Sequence, residues 1–211
     1  MNTFKGLSLA IRHRAASNLR LVALTFAIAL AGSGCLQVKC YVDPQFRSAD
    51  YLSIKAPANP TPVVVTAIFQ TNGKPKKQLH TVVRKKITKV LAATRVFTEA
   101  TSTRTNEAGR LDVTVNNVGD IGSAVGKGFG TGLTFGLAGS AVVDGYVMTA
   151  TYSPPAGASV TKTYKHALHS TVGLHSAPKG MEPVPMADAF DQVVEDMLLN
   201  FLRDLQKESI L

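Results

Sequence analysis

Cysteine is scarce in this chain: Cys35 and Cys40 are the only two among 211 residues. They are too few for a disulfide framework and poorly spaced for one stable staple. Acidic residues are missing from the start of the chain. Four of the 23 basic residues, Lys5, Arg12, Arg14 and Arg20, precede residue 35 and no acid does. That leaves 19 basic side chains against 14 acidic ones in residues 35–211, a net charge of +5 rather than the +9 of the whole chain. The body of the protein is therefore only modestly basic, a weak footprint for nucleic acid, and the interleaved aromatics that stack single strands are absent.

Catalytic patterns are missing too. Gly122-Ser123-Ala124-Val125-Gly126-Lys127-Gly128 has one residue too few between its glycines for a phosphate loop, and a glycine where Ser or Thr must follow the lysine. There is no dinucleotide fingerprint after a strand, no nucleophile elbow and no HExxH. His166 and His169 fall on opposite faces of a strand, which argues against one shared metal. With His175 they read as exposed strand and loop histidines, and no cofactor or metal is expected. No carboxylate pair is spaced for acid–base work, so the chain is not expected to be an enzyme.

What is present begins with an export signal. Met1–Arg20 is basic, Leu21–Ala31 (LVALTFAIALA) is apolar, and Ala31-Gly32-Ser33-Gly34 is a run of small residues ending at Cys35. Leu30-Ala31-Gly32-Ser33-Gly34-Cys35 resembles the lipobox of bacterial lipoproteins, with Ser33, Gly34 and Cys35 in pattern and Gly32 where an aliphatic residue is usual. The resemblance implies a signal peptide over 1–34, thioether lipid and an acylated amino end on Cys35, and a partner that is membrane lipid. By similarity to enterobacterial sorting, Leu36 after the cysteine implies an outer-membrane lipoprotein facing the periplasm. Two other readings stay open. Cleavage after Ala29-Leu30-Ala31 would release a soluble protein, and Leu21–Val38 is just near the length of an uncleaved anchor.

Residues 35–62 hold Pro44, Pro57, Pro60 and Pro62 and show no helical period, so they read as the lipidated cysteine and a tether of roughly 25–30 Å mean reach. Residues 63–211 read as an α+β domain. Val63–Phe69 is a strand expected to be buried on both faces. Asn72-Gly73-Lys74-Pro75 is a turn, with Pro75 suited to a helix's first turn. Leu79, Val82, Val83, Ile87, Val90 and Leu91 share one helical face. Leu111–Val115 alternates as a half-buried strand, and Tyr146–Tyr152 with Ser159–Val172 forms a hairpin. Phe190, Val193, Val194, Met197, Leu198, Phe201, Leu202 and Leu205 mark a core helix, whose acids Asp188, Asp191, Glu195, Asp196 and Asp204 read as a solvated face. The order predicts a two-layer sandwich: a mixed sheet of about four strands, two helices on one face and a glycine-rich insertion.

Lys89-Val90-Leu91-Ala92-Ala93-Thr94-Arg95-Val96-Phe97, followed by Leu111-Asp112-Val113-Thr114-Val115, resembles the small domain shared by curli-channel lipoproteins, penicillin-binding-protein activator lipoproteins and the TolB amino-terminal domain. That resemblance implies an envelope scaffold or assembly role, no chemistry, and Phe97 in the helix–sheet seam.

Two further features carry candidate contacts. Seven of the 17 glycines lie within Gly122–Gly139, inside a glycine-rich segment over 120–143. Gly122, Gly126 and Gly130 are four apart, as are Gly128, Gly132 and Gly136, giving small faces on a helix or one glycine face on a strand. The segment reads as a connection along a sheet edge, as a membrane or self-association contact, or as a subunit-contributed pore wall. The first helix is basic, and Lys77, Arg84, Lys85 and Lys89 are candidate contacts to anionic headgroups or lipopolysaccharide phosphates. The expected function is a non-enzymatic cell-envelope lipoprotein in assembly, binding or envelope maintenance, with an envelope-protein or self-association partner and no nucleic acid. The competing expectation is a membrane-inserting oligomer contributing to a secretion pore.

Overall fold

The computed structural model describes residues 38–101, 108–118, 141–172, 177 and 179–211, all within the compact unit Val38–Leu211. Its centre is a parallel pair. Strand β1 is Val38–Val42, β2 is Val63–Thr71, β3 is Lys74–Pro75, helix α1 is Lys77–Thr94, β4 is Ala100–Thr101 and β5 is Gly109–Val118. β2 and β5 run parallel from Val63↔Gly109 to Thr71↔Asn117, with α1 in the connection between them. β6 (Ala141–Ser153) and β7 (Val160–Val172) form the expected antiparallel hairpin, and helix α2 (Met186–Lys207) closes the chain.

The fold is α+β, and its sheet is larger than expected: among the described residues seven strands form an open mixed sheet, ordered β1-β7-β6-β5-β2-β3 with β4 also on β2. The additional strands escape a periodicity reading for physical reasons. β3 and β4 have two residues each, too short for a period of two to register. β1 lies in the proline-bearing stretch expected to be a tether, and its strand character comes from pairing with β7, Val38↔Val172 through Val42↔Leu168.

Both helices lie on one face of the sheet and touch each other. Alternation sets the inward residues: Val63, Val65, Ala67 and Phe69 on β2, Leu111, Val113 and Val115 on β5, and Met148, Ala150 and Tyr152 on β6 are all buried. β2 is therefore not buried on both faces as expected, since Val64 and Ile68 are half-buried and Thr66 is exposed. The opposite face of the hairpin carries hydroxyl pairs instead, Thr151–Thr161 at 2.8 Å and Ser153–Ser159 at 2.7 Å.

α1 buries Val83, Ile87, Val90, Leu91 and Thr94. Leu79 and Val82, expected on that face, are instead exposed at 36% and 43%, because the sheet beneath the first turns ends at its edge strand. The helix stops at Arg95, whose φ of 54° turns the chain back. Val96 and Phe97 then enter the core, with the Phe97 ring 5.6 Å from that of Tyr152.

α2 buries the eight apolar residues that its spacing selects except Phe190, which is half-buried, and it also buries Leu199, Asp196 and Asn200 on its other side. Residues 43–55 cause this second burial. They run along α2 as a strap: Ser48 Oγ donates to Asn200 Oδ1 at 2.8 Å, Asn200 Nδ2 to Phe46 O at 2.9 Å, and Arg203 to Ser48 O at 2.6 Å. The amide of Gln206 exchanges hydrogen bonds with both backbone groups of Lys55. The described part of the expected tether is thus part of the domain, and Cys40 is a buried core residue rather than a tether thiol.

Candidate functional site

One end of the sheet gathers several features that the sequence keeps far apart. Val38 pairs with Val172, Ala141 with Thr171, Val118 with Gly145 and Thr71 with Asn117. These registers bring the start of β1, both boundaries of the glycine-rich segment and the β2–β3 turn to the same end. The turn is a two-residue loop, Asn72-Gly73, between the paired Thr71 and Lys74. Both residues have positive φ, 48° and 77°, as the tight turn of a right-twisted hairpin requires. Asn72 N–H donates to Asn117 O at 2.8 Å and Gly73 N–H to Asn116 Oδ1 at 2.9 Å, which fixes the turn against β5. Lys74, Lys76 and Lys77 are exposed beside it. Val38 and Met186 add exposed apolar surface, 46% and 60%, at that end.

Cys35 and Gly122, Gly126, Gly128, Gly130, Gly132 and Gly136 lie outside the described residues. Of the glycine-rich segment 120–143, residues 141–143 belong to β6. The four basic candidates on α1 do not form a single patch. Lys77, Lys85 and Lys89 are exposed, with the outer two about 18 Å apart along the axis. Arg84 is half-buried and lines a groove at the sheet edge. α1 contains no acidic residue. Lys86, also on α1, is half-buried, paired with Asp191 and stacked 5.6 Å from the Phe190 ring centroid. Burial first, and then the charge of Lys89, pushes its ammonium below its usual value. Among the described residues no helix is long and apolar enough to cross a membrane, and no group of His, Cys, Asp and Glu could hold a metal.

His166 and His169 divide between faces as their spacing requires, but they are not exposed. His166 is buried on the helix side, its Nε2 3.2 Å from Asp196 Oδ2 and its ring 5.2 Å from that of Phe46. His169 Nε2 lies 3.3 Å from Asp43 Oδ2. His175 lies outside the described residues.

Asp196 overturns the expectation of a solvated acidic face. Only 1% exposed, it bonds Arg47 Nε at 2.8 Å through its other oxygen. That bond, then the carboxylate's charge, raises the Arg47 guanidinium above its usual value. Arg47 is half exposed and seals the cluster from outside. The signal for this cluster lies in spacing: Ala189, Val193, Asp196, Asn200 and Arg203 follow a 4-3-4-3 row, a second face beside the apolar one. Further along, Tyr164 Oη donates to Asp204 Oδ2 at 2.8 Å, and Arg203 Nη2 lies 2.7 Å from Asp204 Oδ1. Burial alone would raise the Asp204 carboxyl, but these bonds from Arg203 and Tyr164 hold it below its usual range. These groups form a lock between strap, helix and sheet.

No protein-family model matches the chain, and no curated protein matches it. Among solved structures, the chain is similar to the rare lipoprotein B of Shewanella oneidensis, with a TM-score of 0.34 and 8% identity over 71% of this chain and 93% of that one. It is similar also to an uncharacterized protein, with a TM-score of 0.30 and 11% identity over 73% of this chain and 95% of that one.

Two outcomes test the lock. Arg47→Ala is expected to cost about 3 kcal/mol in urea unfolding, because it leaves the buried Asp196 carboxylate without its guanidinium, and Asp196→Ala to cost about 1–3 kcal/mol, because it leaves the buried His166 Nε2 without its partner. Asp204, depressed in the folded state, contributes stability that is present above the ordinary carboxylate value and is lost as pH falls through its lower folded value. Acid unfolding of Asp204→Asn, followed by circular dichroism, is expected to lack that part of the pH dependence.

Proposed function

We propose that this chain is a non-enzymatic lipoprotein of the bacterial cell envelope, held by lipid on Cys35 in the outer membrane and facing the periplasm, with a role in assembly, binding or envelope maintenance. The observation that carries this reading is the single end of the sheet to which β1, the basic turn and both boundaries of the glycine-rich segment are delivered. Cys35 precedes β1 by three residues, a chain length of about 10 Å at most. In this reading that end of the domain faces the bilayer closely, with no long tether.

The same reading ranks the lysines. Lys74, Lys76 and Lys77 stand at the membrane end, where each contributes about 1 kcal/mol toward an anionic surface. Lys85 and Lys89 are about 12 and 18 Å further along α1, beyond the range of an unscreened contact.

A second reading has one observation in its favour. The glycine-rich segment leaves β5 and returns into β6, which are antiparallel neighbours. A segment entering and leaving side by side suits two membrane-crossing arms, and hence an oligomer contributing to a pore.

Mass spectrometry of the mature amino terminus is expected to find acylated Cys35, and Cys35→Ser to move the protein to the soluble periplasmic fraction. An unmodified terminus at Gly32 would overturn the lipid anchor. A Cys35→Ser protein that stays in the membrane, and leaves it only with Gly126→Val, Gly130→Val and Gly132→Val, would establish the second reading instead. Reversing Lys74, Lys76 and Lys77 to Glu is expected to weaken binding to anionic vesicles by about a hundredfold or more at low salt. The same change at Lys85 and Lys89 leaves binding nearly unaltered.

A further inference from the structure

The two edges of the sheet are finished differently. On β1, Val184 forms a bridge with Cys40, and its N–H donates to Cys40 O at 2.8 Å. On β2, β4 pairs only at Val63 and Val64, and β3 only at Gln70 and Thr71. Among the described residues, no strand pairs the outer edge between these two points. The direction of the backbone groups there follows from the neighbours. Val63 N–H donates outward to Glu99 O, and Phe69 O accepts outward from Lys76 N–H. Successive residues of a strand alternate, so Val65 and Ala67 present their backbone groups to the same outer side. Such an edge is a template for an added strand.

The gap is also a groove. Val64, Val65, Thr66 and Ala67 line a cavity of about 220 Å³ together with His80, Thr81 and Arg84 of α1. His80 Nε2 is shut from solvent there without a hydrogen-bond partner among the described residues. The cation in the groove wall is Arg84, and α1 carries no acid, with Lys77, Lys85 and Lys89 exposed elsewhere on it. A second copy pairing edge to edge would set two such helices side by side, and like charge opposes it.

We propose that the β2 edge from Val65 to Phe69 is a docking site for an extended acidic segment of a partner protein, which adds a strand there and sets a carboxylate against Arg84. Main-chain hydrogen bonds at Ala67 supply binding and Arg84 supplies the preference for acid. The site does not depend on the lipid anchor or on the lysines of the membrane end.

The probe is an end-capped peptide of about eight residues in which glutamate and valine alternate, matched to the pleat. It is added to the full chain in detergent and followed by fluorescence anisotropy and amide hydrogen exchange. The expected result is binding with at least about tenfold slower exchange at the Ala67 amide. A version N-methylated at alternate residues, which keeps its charge but cannot pair, is expected to bind at least about tenfold more weakly. Arg84→Glu is expected to weaken the acidic peptide about tenfold and to make the lysine–valine counterpart the tighter ligand. Equal binding of the parent and N-methylated peptides to the unaltered chain would overturn the proposal as mere charge adhesion. So would unchanged exchange at Ala67, protection of Ala67 by anionic vesicles alone, or a dimer in sedimentation with Ala67 already protected.

Discussion

Helix α2 is buried on two sides, and the contact that closes the second side is the Asp196 carboxylate held between Arg47 and His166. A helix on one face of a sheet ordinarily keeps its outer stripe in water. Here the strap 43–55 covers that stripe, and a buried carboxylate without partners would make such covering costly. Arg47 comes from the strap, His166 from β7 and Asp196 from α2, so the three elements are joined at one point. β1 owes its place to the same arrangement, because the strap begins where β1 ends and returns the chain across α2 to β2.

That arrangement also explains the asymmetry of the sheet. The β1 side is finished by Val184, whereas the β2 side is left with two-residue partners at either end of an open stretch. An edge strand left open is a hazard unless charge guards it. The acid-free helix α1 beside it can serve as that guard and, toward an acidic strand, as an attraction. Charge is distributed in a related way at the end of the sheet, where Lys74, Lys76 and Lys77 cluster around a turn fixed to β5 by two hydrogen bonds.

Much of the fold was legible where the signal was local. The 3-1-3-1 spacing in α2, the alternation of Leu111, Val113 and Val115 and the Asn72-Gly73 turn all follow from short-range patterns. The strap was not legible, because its residues are ordered by partners about 150 positions away, as with Arg47 and Asp196. Composition rich in proline describes local stiffness and says nothing of such distant bonds. Lys77, Arg84, Lys85 and Lys89 were identifiable as a basic set, yet their separation into exposed lysines and an edge-facing arginine depends on where the sheet ends beneath α1.

By itself, the sequence determined β2, α1, β5, the β6–β7 hairpin and α2, their order and the inward face of most of them, because side-chain periodicity reports burial directly. It also contains the lipobox-like run ending at Cys35, a signal that needs no fold. Only the tertiary structure decided that residues 38–55 belong to the domain, that Asp196 and His166 are interior, and that β1, the basic turn and both boundaries of the glycine-rich segment meet at one end. Those outcomes rest on strand register and on pairing between distant residues, and register is set by the whole sheet closing against its helices.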